Sequence, residues 1–258
     1  MKFIHPTAIV SPNAKIGENC YIGAFSIIGD EVELAKNVRL ESHIVVDGKT
    51  FIDESTHVFP FVSIGLAPQD LKYGGEITET CIGKRNQIRE FVTIHRGTIN
   101  GGGLTKIGDD NLLMAQAHVA HDCQLGNEII MANAATLAGH VTIFDKASVG
   151  AYSGVHQFCR VGREAFVGGY SVVVKDALPF AISQGNHAKC YGLNKVGLKR
   201  KGYPKETIEK LHHAYHLLLS SKLNTSQAVE KIREDIFDCA EVDYLVEFIE
   251  SSSRGVVK

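Results

Sequence analysis

Aliphatic residues recur at every sixth position along most of this chain. From Ile4 the series runs through Val10, Ile16, Ile22, Ile28, Leu34, Leu40, Val46, Ile52 and Val58 to Ile64 without a miss. From Ile107 it runs through Leu113, Val119, Leu125, Met131, Leu137, Ile143, Val149, Val155, Val161 and Val167 to Val173. Four residues after each aliphatic of the first series stands a small or β-branched residue, from Ala8, Ala14 and Cys20 to Thr56 and Val62. Glycine often follows the aliphatic directly, as in Ile16-Gly17, Ile22-Gly23 and Ile28-Gly29. Aliphatics are roughly a third of an average chain, so runs of this length are not chance. A period of six fits neither a helix nor a lone strand. It predicts a short strand, a tight turn eased by Gly or Asn, and another short strand, which together are the edges of a solenoid rung. Each rung leaves strand edges unpaired until the next coil stacks on it, so the repeat must run long and be capped.

The period breaks twice. Between Ile64 and Ile82 the positions that should be aliphatic are Asp70 and Glu76, so a loop near 65–81 leaves the core. Near 97–106, Thr98-Ile99-Asn100-Gly101-Gly102-Gly103 slips the frame by one residue before Ile107 restores it, which predicts a second loop. Long loops on a stiff repeat tend to carry function. The repeat ends near Pro179. Residues 1–186 are assigned to the solenoid and 187–258 to a small helical domain. In that domain Pro204 opens a helix carrying Ile208, Leu211, Tyr215, Leu218 and Leu219. Thr225 or Ser226 caps a second helix bearing Val229, Ile232 and Ile236, and a third carries Tyr244, Leu245, Phe248 and Ile249.

Composition narrows the class. A net charge of −2 and 22% charged residues describe an ordinary globular protein and argue against general nucleic-acid binding. No run of about 18 apolar residues is present to span a membrane, and the first residues lack a hydrophobic signal core, so a cytoplasmic location is expected. Six cysteines show no CxxC spacing. Cys20, Cys123 and Cys159 share the small-residue slot of the repeat, which reads as packing of reduced thiols.

The chemistry concentrates in His118-Val119-Ala120-His121-Asp122. His121 stands two residues past a core aliphatic, hence at a fixed place on a rigid surface, and imidazole suits a general base because its ordinary pKa is near 6.5. A lone histidine is more often a hydrogen-bonded surface group, but His95, His118, His140 and His156 also fall in the middle coils. That cluster raises a zinc site as a rival. Zinc requires three imidazoles converging on one point, and on a strand His118 and His121, three apart, leave by opposite faces. By the same alternation Asp122 is a weak partner for His121. Between Lys189 and Lys205 stand Lys189, Lys195, Lys199, Arg200, Lys201 and Lys205 with no acidic residue, a patch suited to an acidic partner.

The hexads resemble the left-handed parallel β-helix of hexapeptide-repeat acyltransferases. More narrowly, the following segments resemble the UDP-N-acetylglucosamine acyltransferase family: Gln69-Asp70-Leu71-Lys72-Tyr73, Ile94-His95-Arg96-Gly97-Thr98, Gly101-Gly102-Gly103-Leu104-Thr105-Lys106, His118 to Cys123, Leu137-Ala138-Gly139-His140, His156-Gln157-Phe158 and Gly185-Asn186-His187-Ala188. The resemblance covers nearly the whole chain. It implies a mainly β fold, a left-handed parallel β-helix followed by a small α-helical C-terminal domain. It also implies transfer of a 3-hydroxyacyl group from acyl carrier protein to the 3-hydroxyl of UDP-N-acetylglucosamine, the first step of lipid A synthesis. A homotrimer with active sites between subunits and no metal or redox cofactor follow from the same resemblance. The basic segment 189–205 is then the expected docking surface for the carrier protein.

With three hexads per coil, as the resemblance implies, residues eighteen apart stack, and Gly139 lies over His121 with His140 beside it. A base next to a glycine N–H is the minimum for acyl transfer. The resemblance further assigns Gln69, Asp70, Lys72, His95, His118, His140, His156 and Gln157 to the sugar nucleotide or acyl group. It assigns Asn194 and Arg200 to the nucleotide or pantetheine, and Gly169 to the place that limits acyl length. One departure is that Asn194 is followed by Lys195 and Val196 where the family often has a glutamate, so a contact to the ribose is missing. Some relatives acylate an amine; Gln69-Asp70 and His95-Arg96-Gly97-Thr98 favour the hydroxyl. A non-catalytic β-helix that binds nucleotide sugars or scaffolds partners is the alternative from another class, and His121→Ala separates the two.

Overall fold

The computed structural model describes residues 2–220 and 222–258. Its strands, mostly two residues long, wind as a left-handed parallel β-helix with three flat sheets, one strand of each per coil. Residues eighteen apart pair, as in His118 with Thr136 and Val119 with Leu137. Every hexad aliphatic from Ile22 to Val173 points into one continuous apolar column with essentially no exposure. Each such side chain contributes roughly 1.5–3 kcal/mol relative to an exposed one. The three buried cysteines of the repeat lie in that column; Cys20 and Cys123 donate from Sγ to Ala35 O (3.0 Å) and Ala138 O (3.2 Å).

The turns differ from expectation. Almost every corner has one residue in the left-handed region, and it is seldom glycine: Phe25, His43, Phe61, Asp110, Asp122, His140, Phe158 and Tyr170 all have φ between 56° and 64°. Such residues cost about 1–2 kcal/mol each, offset by ladder hydrogen bonds that repeat at every corner, such as His140 N–H to His121 O (3.0 Å). Glycine instead stands one position after the aliphatic because consecutive coils nearly touch there. A Cβ on Gly17 or Gly23 would lie 2.6 Å from backbone of the coil above.

Register shows where the loops leave. Ile64 pairs with Ile94, thirty residues on, and Ile94 with Val119, twenty-five on. Against the usual eighteen, these coils hold twelve and seven extra residues. The second insertion is therefore a whole hexad plus one residue, which the sequence shows as a slip of one. Both insertions leave from the same corner, between the second sheet (with Ile64, Ile94 and Val119) and the third (with Ile82, Ile107 and Leu125).

The last coils pass into an antiparallel hairpin, Ala181–Gln184 with Lys189–Leu193. Four helices follow: α1 (Lys195–Arg200), α2 (Lys205–Leu219), α3 (Thr225–Asp235) and α4 (Ala240–Glu250). The short α1 carries the basic run and has no hydrophobic periodicity to foretell it. Pro204 caps α2 from outside, and α3 is capped by Asn224 in a capping box with Gln227, one residue before the expected Thr225; Ile236 sits just past its end. Leu178, Phe180 and Ala181 share a second core with Leu211, Tyr215, Ile232 and Leu245, which closes this end of the coil. Arg160 fastens it: its guanidinium donates to Asp176, Phe248 O and Ser251 and lies 4.3 Å over the Phe248 ring. Among the described residues no helix is long and apolar enough to cross a membrane.

Candidate active site

The corner that carries both insertions also carries the histidines. Its first turn position holds His121, Gly139 and Gln157 in successive coils, and its second holds Asp122, His140 and Phe158. His121 and Asp122 are thus turn residues, not strand neighbours, and strand alternation does not apply to them. With Asp122 at φ 60°, its carboxylate accepts from His121 Nδ1 at 2.7 Å. The Asp122 side chain is fully buried and that of His121 is 15% exposed. The pairing is stronger than the sequence reading allowed. His118, on the strand before the turn, has the ring of His95 as its edge-to-face neighbour, while His121 has that of His140.

Gly139 stands against the ring of His121 as the coil stacking requires. A Cβ there would lie 2.5 Å from Cε1 and 2.7 Å from Nε2, so any side chain would collide with the imidazole. On the edge between the third and first sheets the equivalent N–H is satisfied by a side chain of the next coil in two places: Asp109 N–H by Asn127 Oδ1 (2.7 Å) and Asn127 N–H by Asp145 Oδ1 (2.7 Å). The Gly139 N–H has no such acceptor among the described residues. It is a backbone donor on the residue that abuts the imidazole.

The other histidines form two edge-to-face pairs, His95 with His118 at 5.0 Å and His121 with His140 at 5.1 Å. Burial, then the neighbouring His118 and His121, holds His95 down at about 4. Burial also lowers His118 and His140, and for His140 the charges of Asp122 and Asp70 partly oppose that shift. These rings are therefore neutral near pH 7. His118 Nδ1 is 2.6 Å from Thr93 Oγ1, whereas the buried Nδ1 of His95 has no partner. His140 stacks flat on Phe158 at 4.3 Å.

One group of three potential metal ligands exists among the described residues: His121, Asp122 and His140, with donor atoms within 4.8 Å of one another. The Asp122 carboxylate is already held by Thr98 N–H (2.8 Å), Thr98 Oγ1 (2.6 Å) and His121. A metal would have to displace those donors, so the arrangement suits a proton carrier better than a cage. Thr98 and Gly101 of the second insertion went unassigned in the sequence, because nothing in their spacing places them over Asp122.

The remaining assigned residues divide into two places. Asp70, on the first insertion, is half-buried and close enough to act electrostatically on His140, while Gln69 and Lys72 are exposed. His156 and Gln157 are exposed one coil beyond Gly139, with His156 Nδ1 3.4 Å from Arg254 of the C-terminal segment. Gly169 lies at another corner, between the first and second sheets, where a Cβ would meet only Ala151 O at 3.3 Å. Asn194 and Arg200 line a groove over the first sheet with Ser148, Phe166 and Ile182, on a different face from His121. Asn194 also caps α1, accepting from Gly197 N–H at 2.9 Å. One chain therefore does not bring Asn194, Arg200 or Gly169 to the imidazole. In the basic segment, Lys201 is paired with the buried Glu164; Lys195, Lys199 and Lys205 line a cleft with Tyr203 and His212.

Comparison with known proteins agrees with this picture. Residues 176–257 match the family described as UDP N-acetylglucosamine O-acyltransferase, domain 2, and residues 3–30 match the bacterial transferase hexapeptide repeat. The structure is similar to LpxA from Acinetobacter baumannii, at 43% identity and a TM-score of 0.97 over 99% of this chain and 100% of that one. It is similar to LpxA, a UDP-N-acetylglucosamine acyltransferase, from Bacteroides fragilis (39%, TM-score 0.97, 99% and 100%). The Arabidopsis UDP-N-acetylglucosamine acyltransferase matches at 32%, with a TM-score of 0.86 over 99% and 100%. Full-length likeness at these identities, on a coil whose one elaborated corner holds the imidazole, carboxylate and bare glycine, leaves no doubt of descent: the chain belongs to the UDP-N-acetylglucosamine O-acyltransferase family.

Proposed function

We propose that the protein moves a 3-hydroxyacyl group from acyl carrier protein to the 3-hydroxyl of UDP-N-acetylglucosamine, in the first step of lipid A synthesis, and that the second-to-third-sheet corner is where this happens. His121 Nδ1–H is held by Asp122, which leaves Nε2 as the base. Nε2 takes the proton of the sugar hydroxyl, and the oxygen attacks the thioester carbonyl. The Gly139 N–H receives the oxyanion as it forms. The tetrahedral intermediate collapses by breaking the C–S bond, and His121 returns its proton to the leaving thiolate. Asp70 and Lys72 of the first insertion, with Gln69, His95, His118, His140, His156 and Gln157, form the wall against which sugar, diphosphate and acyl chain are held. Lys72 suits the diphosphate and Asp70 the sugar hydroxyls.

Asn194, Arg200 and Gly169 reach such a substrate only from a second copy, so we place the site between subunits of a homotrimer. The basic cleft of Lys195, Lys199 and Lys205 then faces the carrier protein, and the protein works in the cytoplasm, where that carrier is found. Gly169, which carries no side chain at its corner, suits a long acyl chain. The observation that carries the proposal is the imidazole of His121 fixed between a buried carboxylate and a bare peptide N–H. Mass spectrometry of the product formed from UDP-N-acetylglucosamine and a mixed pool of acyl carrier thioesters tests it. The expected product is a mono-O-acylated sugar nucleotide bearing a long 3-hydroxyacyl chain. Absence of any acylated sugar, or the same yield from His121→Ala, overturns it.

A further inference from the structure

The second insertion is folded onto Asp122 from two directions. At its start, Thr98 gives the carboxylate two donors: its backbone N–H to Oδ1 at 2.8 Å and its hydroxyl to Oδ2 at 2.6 Å. At its end, Thr105 Oγ1 accepts from the Asp122 N–H at 2.8 Å. Between them a single 3-10 turn, residues 99–101, returns over the carboxylate, closed by Gly101 N–H and Gly103 N–H on Thr98 O (3.0 and 2.8 Å). Gly101 approaches so closely that a Cβ would lie 2.0 Å from Asp122 Cγ. No ordinary corner of the coil needs such a lid. The other buried aspartate among the described residues, Asp176, pairs instead with a permanent cation, Arg160.

We infer that Thr98 is a positioning residue for the His121–Asp122 pair and that the seven-residue insertion exists to deliver it; this rests on His121 being the base. The physical reason is directional. A carboxylate bound only by His121 could rotate about χ2 and present either oxygen, and the imidazole would follow it. Two Thr98 donors in fixed directions pin both oxygens, so only one lone pair of Oδ2 remains aimed at Nδ1. That fixes the ring plane and the Nδ1–H tautomer, and thereby where Nε2 points. Two strong donors also stabilise the ionised carboxylate in a site from which water is excluded. Thr98 touches no substrate, so its removal should disturb the chemical step and leave ground-state binding alone.

The test measures kcat and KM for wild type, Thr98→Val, Thr98→Ser, Gly101→Ala and His121→Ala, with thermal melts of each. Thr98→Val keeps the shape but lacks the hydroxyl, and is expected to lower kcat by about tenfold or more with KM for the sugar nucleotide within twofold. Thr98→Ser restores the donor and is expected to recover most of kcat. Gly101→Ala keeps every donor but pushes on the carboxylate from outside, and is expected to lower kcat as well, which preserves the test should Thr98→Val fail to fold. Wild-type kcat in well-folded Thr98→Val and Gly101→Ala, beside an inactive His121→Ala, overturns the inference alone. A purely structural role, in which melting falls and kcat per folded protein does not, overturns it equally. Turnover surviving in His121→Ala overturns the base assignment on which it stands.

Discussion

Asp122 and Asp176 lie fifty-four residues apart along the same edge of the coil, Asp122 at the left-handed turn position and Asp176, where the corner is two residues shorter, level with Arg160 at the start of the next sheet, and both side chains are buried. Each accepts a backbone N–H, a hydroxyl and a nitrogen side chain. For Asp176 these are Arg160 N–H (2.8 Å), Ser252 Oγ (2.7 Å) and the Arg160 guanidinium (2.7 Å). For Asp122 they are Thr98 N–H, Thr98 Oγ1 and His121 Nδ1. The frames are alike, and the partner decides the outcome. A guanidinium never gives up its proton, so Asp176 is a staple holding α4 and the C-terminal segment to the coil. An imidazole at a partly open edge can carry a proton in and out, so the proposed role of Asp122 is to orient a base. A buried carboxylate in a repeat is thus read from its partner.

Exchanging charge for amide at the two slots should separate these roles. Asp122→Asn is expected to cut kcat by about 10²-fold, because the amide no longer fixes the Nδ1–H tautomer, while the melting temperature changes little. Asp176→Asn should do the reverse. It leaves Arg160 uncompensated and is expected to cost roughly 3 kcal/mol of stability, with kcat per folded protein near wild type. Equal loss of activity in both variants would erase the contrast. Gly139→Ala is expected to lower kcat about tenfold, since its methyl must displace the His121 ring, and steady-state kinetics would show it as a change in kcat and not in melting.

The smallest effect concerns pH. His95 is held near 4 in the fold but titrates near 6.5 in the unfolded chain, and burial lowers His118 and His140 in the same direction. The unfolded chain therefore binds more protons between about 6.5 and 4. Stability contributed by the neutral ring is complete above pH 6.5 and is lost as pH falls toward 4. His95→Asn is expected to flatten the decline in melting temperature between pH 7 and 5, checked by thermal scans across that range. An unchanged slope would mean that His95 is charged in the fold.

The solenoid was legible because its signal is a period: an aliphatic at every sixth place, repeated through most of the chain, leaves a coiled strand–turn–strand as the only regular solution. His121, Asp122 and Gly139 were legible because they sit within that period and the coil stacks them at eighteen. Thr98 and Gly101 were not, because an insertion of a hexad plus one disguises itself as a slip of one residue. Helix α1 was missed because six residues are too few to show periodicity. The turn residues were misjudged because their left-handed backbone is imposed by the ladders on either side and not by their own preference.

By itself, then, the sequence determined the coil, the stacking column and the residue types gathered on it, since those follow from periodicity and side-chain chemistry. Only the tertiary structure decided which corner gathers the candidate site and how Asp122 is aimed. Two loops of different length leave from the same edge, and the shorter folds back so that Thr98 meets a carboxylate twenty-four residues away. Contacts of that kind depend on register between coils, a property of the stacked chain that no local pattern encodes.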